Sequence, residues 1–195
     1  MENRGFDMRI NYDTIVKDTD PSLRNKSVSV PIPMMKKDIA LGKSLLRYVR
    51  DSRDEEKAEK FNLKPAVGIA APQIGVHRAL ICISVDEEVG DEVETIEMVL
   101  ANPKIISHSV QKAALKFGEG CLSVEGEHQG YVYRSARIKV RAFDVMNQEE
   151  VEFRANGYLA IVLQHEIDHL SGVLFYDHIS AENPWEIKEN AIIID

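Results

Sequence analysis

The sequence predicts an α+β fold: one helix, then many short strands, then a late second helix. Three observations carry this. Residues 36–50 set Ile39, Leu41, Leu45, Leu46 and Val49 at helical spacing. Between about 79 and 155 the apolar residues come in short blocks or alternate with charge, as in Ile138, Val140 and Ala142 against Lys139 and Arg141, then Val151, Phe153 and Ala155 against Glu152 and Arg154. Near the C-terminus, Leu159, Val162, Leu163 and Leu170 return to a helical stripe, with Asn156 placed to cap it and Gly172 to end it.

Residues 1 to about 33 read as irregular, since Asp20-Pro21 starts a turn and Val30-Pro31-Ile32-Pro33 cannot be helical. After the first helix, 51–60 is a dense mixed-charge run, expected as a solvated helical extension or insertion. The stretch 67–75 is small and apolar with a single polar side chain, Gln73; it lacks the Gly-Lys-Ser/Thr ending of a phosphate loop. Residues 79–85 form a buried strand holding Cys82 in the core, and 86–91 reads as an acidic loop. Residues 98–101 lead into Asn102-Pro103, with separate strands at 104–107 and 111–117. Glycines at 118 and 120 present Cys121 on a turn. Residues 144–148 are a hairpin turn, 173–176 a short apolar run, and 191–194 a closing strand.

The length suits one domain, 1–195, and the 44% hydrophobic and 29% charged composition suits a globular chain. A net charge of −8 argues against general nucleic-acid binding, direct sequence-specific nucleic-acid recognition is not expected, and there is no basic membrane patch. No apolar run reaches membrane-span length, and residues 1–7 lack an apolar signal core. Two cysteines, Cys82 and Cys121, make no disulfide framework, so a reducing cytoplasm is expected.

The chemistry concentrates in Gln164-His165-Glu166-Ile167-Asp168-His169-Leu170. On a helix, His165 and His169 share one face and can grip one metal ion, with Glu166 close enough to reach a water there. The apolar flanks place this set on a half-buried helix, where it is costly unless something pairs with it. A catalytic site of this kind takes three protein ligands. The third can come from Cys121, Glu186, Glu189 or His178; Phe175 stands where the three-histidine protease pattern would put its last histidine. Cys121 is the better donor on chemical grounds, being a glycine-presented thiol that suits soft or borderline metals. Glu189 would instead give a two-His-one-Glu peptidase, and a fourth ligand from Cys82 or His178 a closed structural site.

Three stretches in order, Gly68-Ile69-Ala70-Ala71-Pro72-Gln73, Glu119-Gly120-Cys121-Leu122-Ser123 and the His-Glu motif, resemble the three signatures of peptide deformylase. The charged insertion and the apolar C-terminal end resemble the longer subclass known from Gram-positive bacteria. The resemblance implies antiparallel β-sheets packed around the late helix. It also implies an enzyme that removes the formyl group from the N-terminal methionine of new polypeptides. Carried over residue by residue, Cys121, His165 and His169 are the metal ligands and Glu166 the general acid–base. The Gln73 amide and the Leu122 N–H are the oxyanion donors. Val67, Gly68, Tyr158, Ile161 and Val162 surround the methionine, and the backbones of Gly68 and Gly118 pair with the peptide. The family's metal is Fe(2+) in the cell, with Zn(2+), Ni(2+) or Co(2+) able to occupy the site. Glu119 and Arg134 are expected as a buried pair behind the ligands. The other histidines, His77, His108, His128 and His178, are read as solvated or structural. The implied partners are N-formyl-methionyl nascent peptides, with ribosome contact at most transient, and a monomer is expected.

Overall fold

The computed structural model describes residues 9–90 and 92–195; the expectation that 1–7 lack a signal core lies outside them. Two sheets enclose one helix. The larger has the order β1-β2-β3-β6-β7, built from β1 (Gly68–Ala70), β2 (Leu80–Val89), β3 (Glu92–His108), β6 (Arg137–Asp144) and β7 (Glu149–Asn156), every neighbouring pair antiparallel. The smaller has the order β5-β4-β8, from β4 (Lys112–Leu115), β5 (Arg134–Ser135) and β8 (Ile192–Ile194). Within it β4 and β8 run parallel, the one exception to antiparallel pairing among the strands described.

The larger sheet is covered on both faces, and β2 shows why its sequence reads as unbroken apolar. Leu80 and Cys82 pack with Leu41, Leu45 and Val49 of α1 (Lys36–Ser52), whereas Ile81, Ile83 and Val85 pack with Leu159 and Leu163 of α3 (Gly157–His169). Side chains alternate across a strand, so a strand with two covered faces has no polar positions to spare. The charged run 51–60 is helical as expected: α2 (Glu55–Phe61) has no buried residue and starts on the Asp54 side chain, which accepts from the Lys57 N–H at 3.0 Å.

Three expectations are corrected. Residues 86–89 are not part of a loop: β2 continues through Val89 and β3 begins at Glu92, with Asp91 outside the described residues. Asp86 is satisfied there by the Thr95 hydroxyl at 2.7 Å and by an ion pair with Arg53, so the strand carries the charge without a turn. Asn102-Pro103 does not divide β3. The ladder with β6 shifts register between Ala101 and Lys104, Asn102 takes φ +51°, and its side chain bonds both the N–H and the C=O of Val30 at 2.8 Å. That is a bulge pinned by a side chain, a device that bends a strand without ending it. Asn156 has extended N-cap backbone but its side chain makes no cap bond. The helix is launched directly from β7 through Gly157, at φ +57°, whose N–H reaches the Ala136 carbonyl.

The late helix is apolar on most of its circumference because both sheets press on it. Leu159, Ala160, Val162 and Leu163 face the larger sheet, and Ile161 meets Ala113 and Ala136 of the smaller. Cutting a fully buried residue such as Leu163 to alanine would cost about 2–5 kcal/mol. Gln164 fixes the helix to β5: its Oε1 accepts from the Ser135 N–H at 2.9 Å and its Nε2 donates to the Ser135 carbonyl at 2.9 Å. The last turn of the helix, with His165, Glu166 and His169, is thereby held between two sheets.

Candidate metal centre

His165 and His169 stand one helical turn apart, ring centroids 5.0 Å from each other. The turn after β4 brings Cys121 to them, its Sγ 3.3 Å from His169 Nε2. One donor atom from each of Cys121, His165 and His169 lies within 4.8 Å of the other two. Among the described residues no fourth cysteine, histidine or carboxylate joins this group. Cys82 is buried on the α1 side of the sheet, and His178 Nε2 is spent on Asp168 at 2.7 Å. Glu186 and Glu189 are exposed and not part of the group. A thiol and two imidazoles suit a borderline divalent cation, and three protein donors are the number a catalytic rather than a structural site uses.

The surroundings fit a cation. Glu119 Oε2 accepts from His165 Nδ1 at 2.8 Å, which turns His165 Nε2 toward the cluster. Glu119 is itself gripped in fork geometry by Arg134, at 2.6 and 2.9 Å, and Arg134 reaches Asp168 at 2.8 Å. Burial would push the Glu119 carboxyl up, but His165 and Arg134 outweigh it and hold the group below the usual carboxylate range. Burial likewise opposes charge on His165, yet the Cys121 and Glu119 contacts hold its imidazole up to about 10. His169 is pushed the other way, by burial and then by the neighbouring His165 charge. Its Nδ1 is buried without a hydrogen-bond partner among the described residues.

Glu166 lies beside the cluster, 4% exposed, with Oε2 also unpartnered. Burial pushes its carboxyl up to about 7. Gly68 makes room for it: a Cβ on Gly68 would stand 2.5 Å from Glu166 Oε1. Gln73 is buried and oriented, with Oε1 accepting from the Ala70 N–H at 2.8 Å. That leaves Nε2 to donate toward Ser123 Oγ at 3.2 Å and Cys121 Sγ at 3.4 Å. The Leu122 N–H donates to nothing among the described residues.

The chain matches the polypeptide deformylase family over residues 12–185. It is 45% identical over 192 residues to a peptide deformylase of Streptococcus pyogenes serotype M5 (strain Manfredo), an alignment covering 95% of this chain and 94% of that relative. The chain belongs to the polypeptide deformylase family. Solved deformylases share its fold. A plant peptide deformylase superposes with a TM-score of 0.69 at 30% identity, covering 91% of this chain and 84% of that one. A Legionella pneumophila peptide deformylase gives 0.64 at 34%, covering 87% of each. The family is one of metal-dependent hydrolases, and the Cys121, His165 and His169 group can bind its metal.

A cavity of about 640 Å³ opens against the cluster of this deformylase. Val67, Gly68, Tyr158, Ile161 and Val162, singled out from the sequence, all line it, as do Gln73, Glu119, Cys121, Leu122, His165 and Glu166. Gly118 does not line it; it takes φ +77° in the turn before Glu119, with the Gly130 carbonyl 3.0 Å from where a Cβ would be. Sequence reasoning missed Asp168, which closes the Glu119–Arg134 network although it lies inside the quoted motif, and Ser123, buried against Gln73. It also missed Leu115, Tyr12 and Lys64 on the cavity wall. The pattern of β4 marks Leu115 only as a strand residue, and Tyr12 and Lys64 carry no local signal.

Proposed function

We propose that this chain removes the formyl group from the N-terminal formyl-methionine of newly made polypeptides and releases formate, with residues 1–195 acting as one catalytic domain. One observation carries the reading: Glu166, the Gln73 amide and Leu122 converge beside the Cys121, His165 and His169 group on the wall of an apolar cavity. Cys121, His165 and His169 would hold one divalent ion, Fe(2+) in the cell, with Zn(2+), Ni(2+) or Co(2+) able to take its place. Such an ion, when bound, acidifies a water and polarises a carbonyl oxygen.

The chain's own groups supply the rest. Glu166 takes a proton from water, and the water oxygen adds to the formyl carbon. Negative charge collects on the formyl oxygen, where the Gln73 Nε2–H and the Leu122 N–H donate to it; one such donor is worth about 3–4 kcal/mol. Glu166 returns its proton to the nitrogen as the carbon–nitrogen bond breaks, giving formate and a free amine. Val67, Tyr158, Ile161 and Val162 enclose the methionine side chain, and the backbone of Gly68 pairs with the peptide as an added strand; Gly118, off the cavity wall and with its N–H on the Leu115 carbonyl at 3.1 Å, has its own carbonyl left among the described residues for that pairing. Glu119 and Arg134 orient His165.

We assign this chemistry to the cytoplasm, on nascent peptides, with ribosome contact at most transient; the family's action on formylated nascent peptides supports the reading. We assign a monomer with no membrane association and no direct sequence-specific nucleic-acid binding. No helix among the described residues is long and apolar enough to cross a membrane. The charged α2 and the apolar β8 favour the longer, Gram-positive-type subclass, in keeping with the streptococcal relatives.

The test is formate release from a formyl-Met peptide, using protein purified without oxygen, the same protein loaded with zinc, and Glu166→Ala. Release by the ferrous protein that collapses in Glu166→Ala is the expected result. No release from folded, fully metallated protein refutes the assignment.

A further inference from the structure

Both N–H donors assigned to the formyl oxygen face one mechanical difficulty. A donor that must turn to substrate cannot rely on its own hydrogen bond, and the Gln73 Nε2 contacts to Ser123 Oγ and Cys121 Sγ would be exchanged for the formyl oxygen, so each residue has to be held through other atoms. Gln73 is held on its side chain by the Ala70 N–H, which leaves its backbone carbonyl, and Leu122, its side chain packed non-directionally against the core, has only its backbone carbonyl in a hydrogen bond among the described residues. Leu122 also lies in the irregular stretch between β4 and β5, where no strand ladder supports it.

The carbonyls are taken up by three consecutive residues from the irregular N-terminal segment. Val16 N–H donates to the Gln73 carbonyl at 2.8 Å, Lys17 Nζ to the Leu122 carbonyl at 3.0 Å, and Asp18 N–H to the Ser123 carbonyl at 2.7 Å. Ile15, 3% exposed, anchors this segment in the core. Lys17 is the side chain in the set. Its ammonium stands 3.5 Å over the Tyr12 ring and 3.9 Å from Glu125, whose side chain is 62% exposed. An ion pair that open contributes little, whereas a part-buried ammonium–carbonyl bond is charge-assisted and directional.

We propose that residues 16–18 are a strap that sets the position of the two oxyanion donors, and that Lys17 is its positioning residue, acting through the Leu122 carbonyl. This rests on the reaction proposed above. Lys17 touches neither the reacting atoms nor the methionine pocket, so its loss falls on kcat rather than KM. Misplacing a catalytic group by about 1 Å costs on the order of 100-fold; loosening one of two donors is expected to cost roughly tenfold.

The test compares Lys17→Met, which keeps an unbranched apolar chain but loses the ammonium over Tyr12 and its bond to the Leu122 carbonyl, with Lys17→Arg, which keeps a cationic donor. Each is assayed for kcat and KM on a formyl-Met peptide, metal content and Tm. Amide exchange is followed by NMR in the zinc-loaded protein at Val124 and Asp18, whose N–H bonds to the Cys121 and Ser123 carbonyls close the strapped turn. The expected result for Lys17→Met is kcat down about tenfold, KM within about twofold, metal content unchanged, and the two amides exchanging about tenfold faster while the Leu163 amide in α3 does not change. Lys17→Arg should restore both readouts to within about threefold. A Lys17→Met protein with wild-type kcat overturns the proposal. So does a kcat loss that follows metal content or Tm while Val124 and Asp18 exchange at the wild-type rate. A wild-type protein that releases no formate refutes the reaction itself, and the exchange rates then decide alone whether Lys17 holds the turn.

Discussion

Gly68→Ala tests the placement of Glu166 without touching a ligand or a donor. The new methyl carbon would stand 2.5 Å from Glu166 Oε1 and 2.9 Å from both Cδ and Cγ. Ordinary contact begins near 3.4 Å, so the carboxylate must retreat by roughly 0.5–0.9 Å. It has little room to do so, because Glu166 is buried on a helix clamped between two sheets. Gly68 has no positive φ, so alanine brings no backbone strain, and its N–H and C=O remain available to a peptide. A displacement approaching 1 Å at a proton-transferring group costs on the order of 100-fold in rate, about 2.7 kcal/mol of barrier. The assay is formate release with kcat and KM separated, beside metal content by atomic emission and Tm. The expected outcome is a kcat loss near 100-fold with metal retained and KM changed far less. Wild-type kcat in a folded, metallated Gly68→Ala protein would refute the claim that Glu166 acts from the position seen here.

Arg134→Ala should leave Glu119 buried without its cation, a kind of loss that costs about 3–5 kcal/mol, and should weaken metal retention by roughly 10- to 100-fold on dialysis against a chelator; unchanged retention and activity would make the pair a bystander. Cys121→Ser should release metal while Glu189→Ala should not, since only Cys121 stands with the two histidines; metal analysis of both proteins decides between them. Cys82 is buried and its thiol is pushed up by that burial, so a thiol reagent should label only Cys121 in native, chelator-treated protein and both cysteines after denaturation. Burial works to raise the Asp177 carboxyl, but Arg24 and the Leu174 N–H outweigh it and hold the group below its usual range. A depressed carboxyl stabilises the fold above its unfolded value near 4 and ceases to as pH falls through the folded value. Asp177→Asn should therefore lower Tm at pH 7, with a penalty that shrinks as pH falls below about 4 and vanishes below the folded value; an equal penalty at pH 7 and in acid would assign the effect to packing.

What the sequence made legible was whatever a local repeat or a chemically costly residue announces. The α1 stripe, the β6–β7 alternation and the His-Glu pair all follow from periods of 3.6 or 2 set against burial. Cys121 was legible because a thiol just after two glycines, Gly118 and Gly120, has few structural reasons to be there. The acidic loop expected at 86–91 was misread over 86–89 for a reason that lies outside the segment: Thr95 and Arg53, neighbours only after folding, supply what solvent would have supplied to Asp86. Asn102 was misread in the same way, because the partner that turns a break into a bulge is Val30, seventy-two residues away. The strap and Asp168 belong to this class as well. Lys17 looks like any surface lysine until its amine is seen against the Leu122 carbonyl, 105 positions along the chain. The residues that do chemistry are costly to bury and so stand out in a sequence, whereas those that aim them are common types in ordinary company. In this fold the second group sits in turns and irregular segments that carry no period. Variants there should separate rate from stability more cleanly than variants in α3, where most side chains, Glu166 and His169 included, are buried in the core.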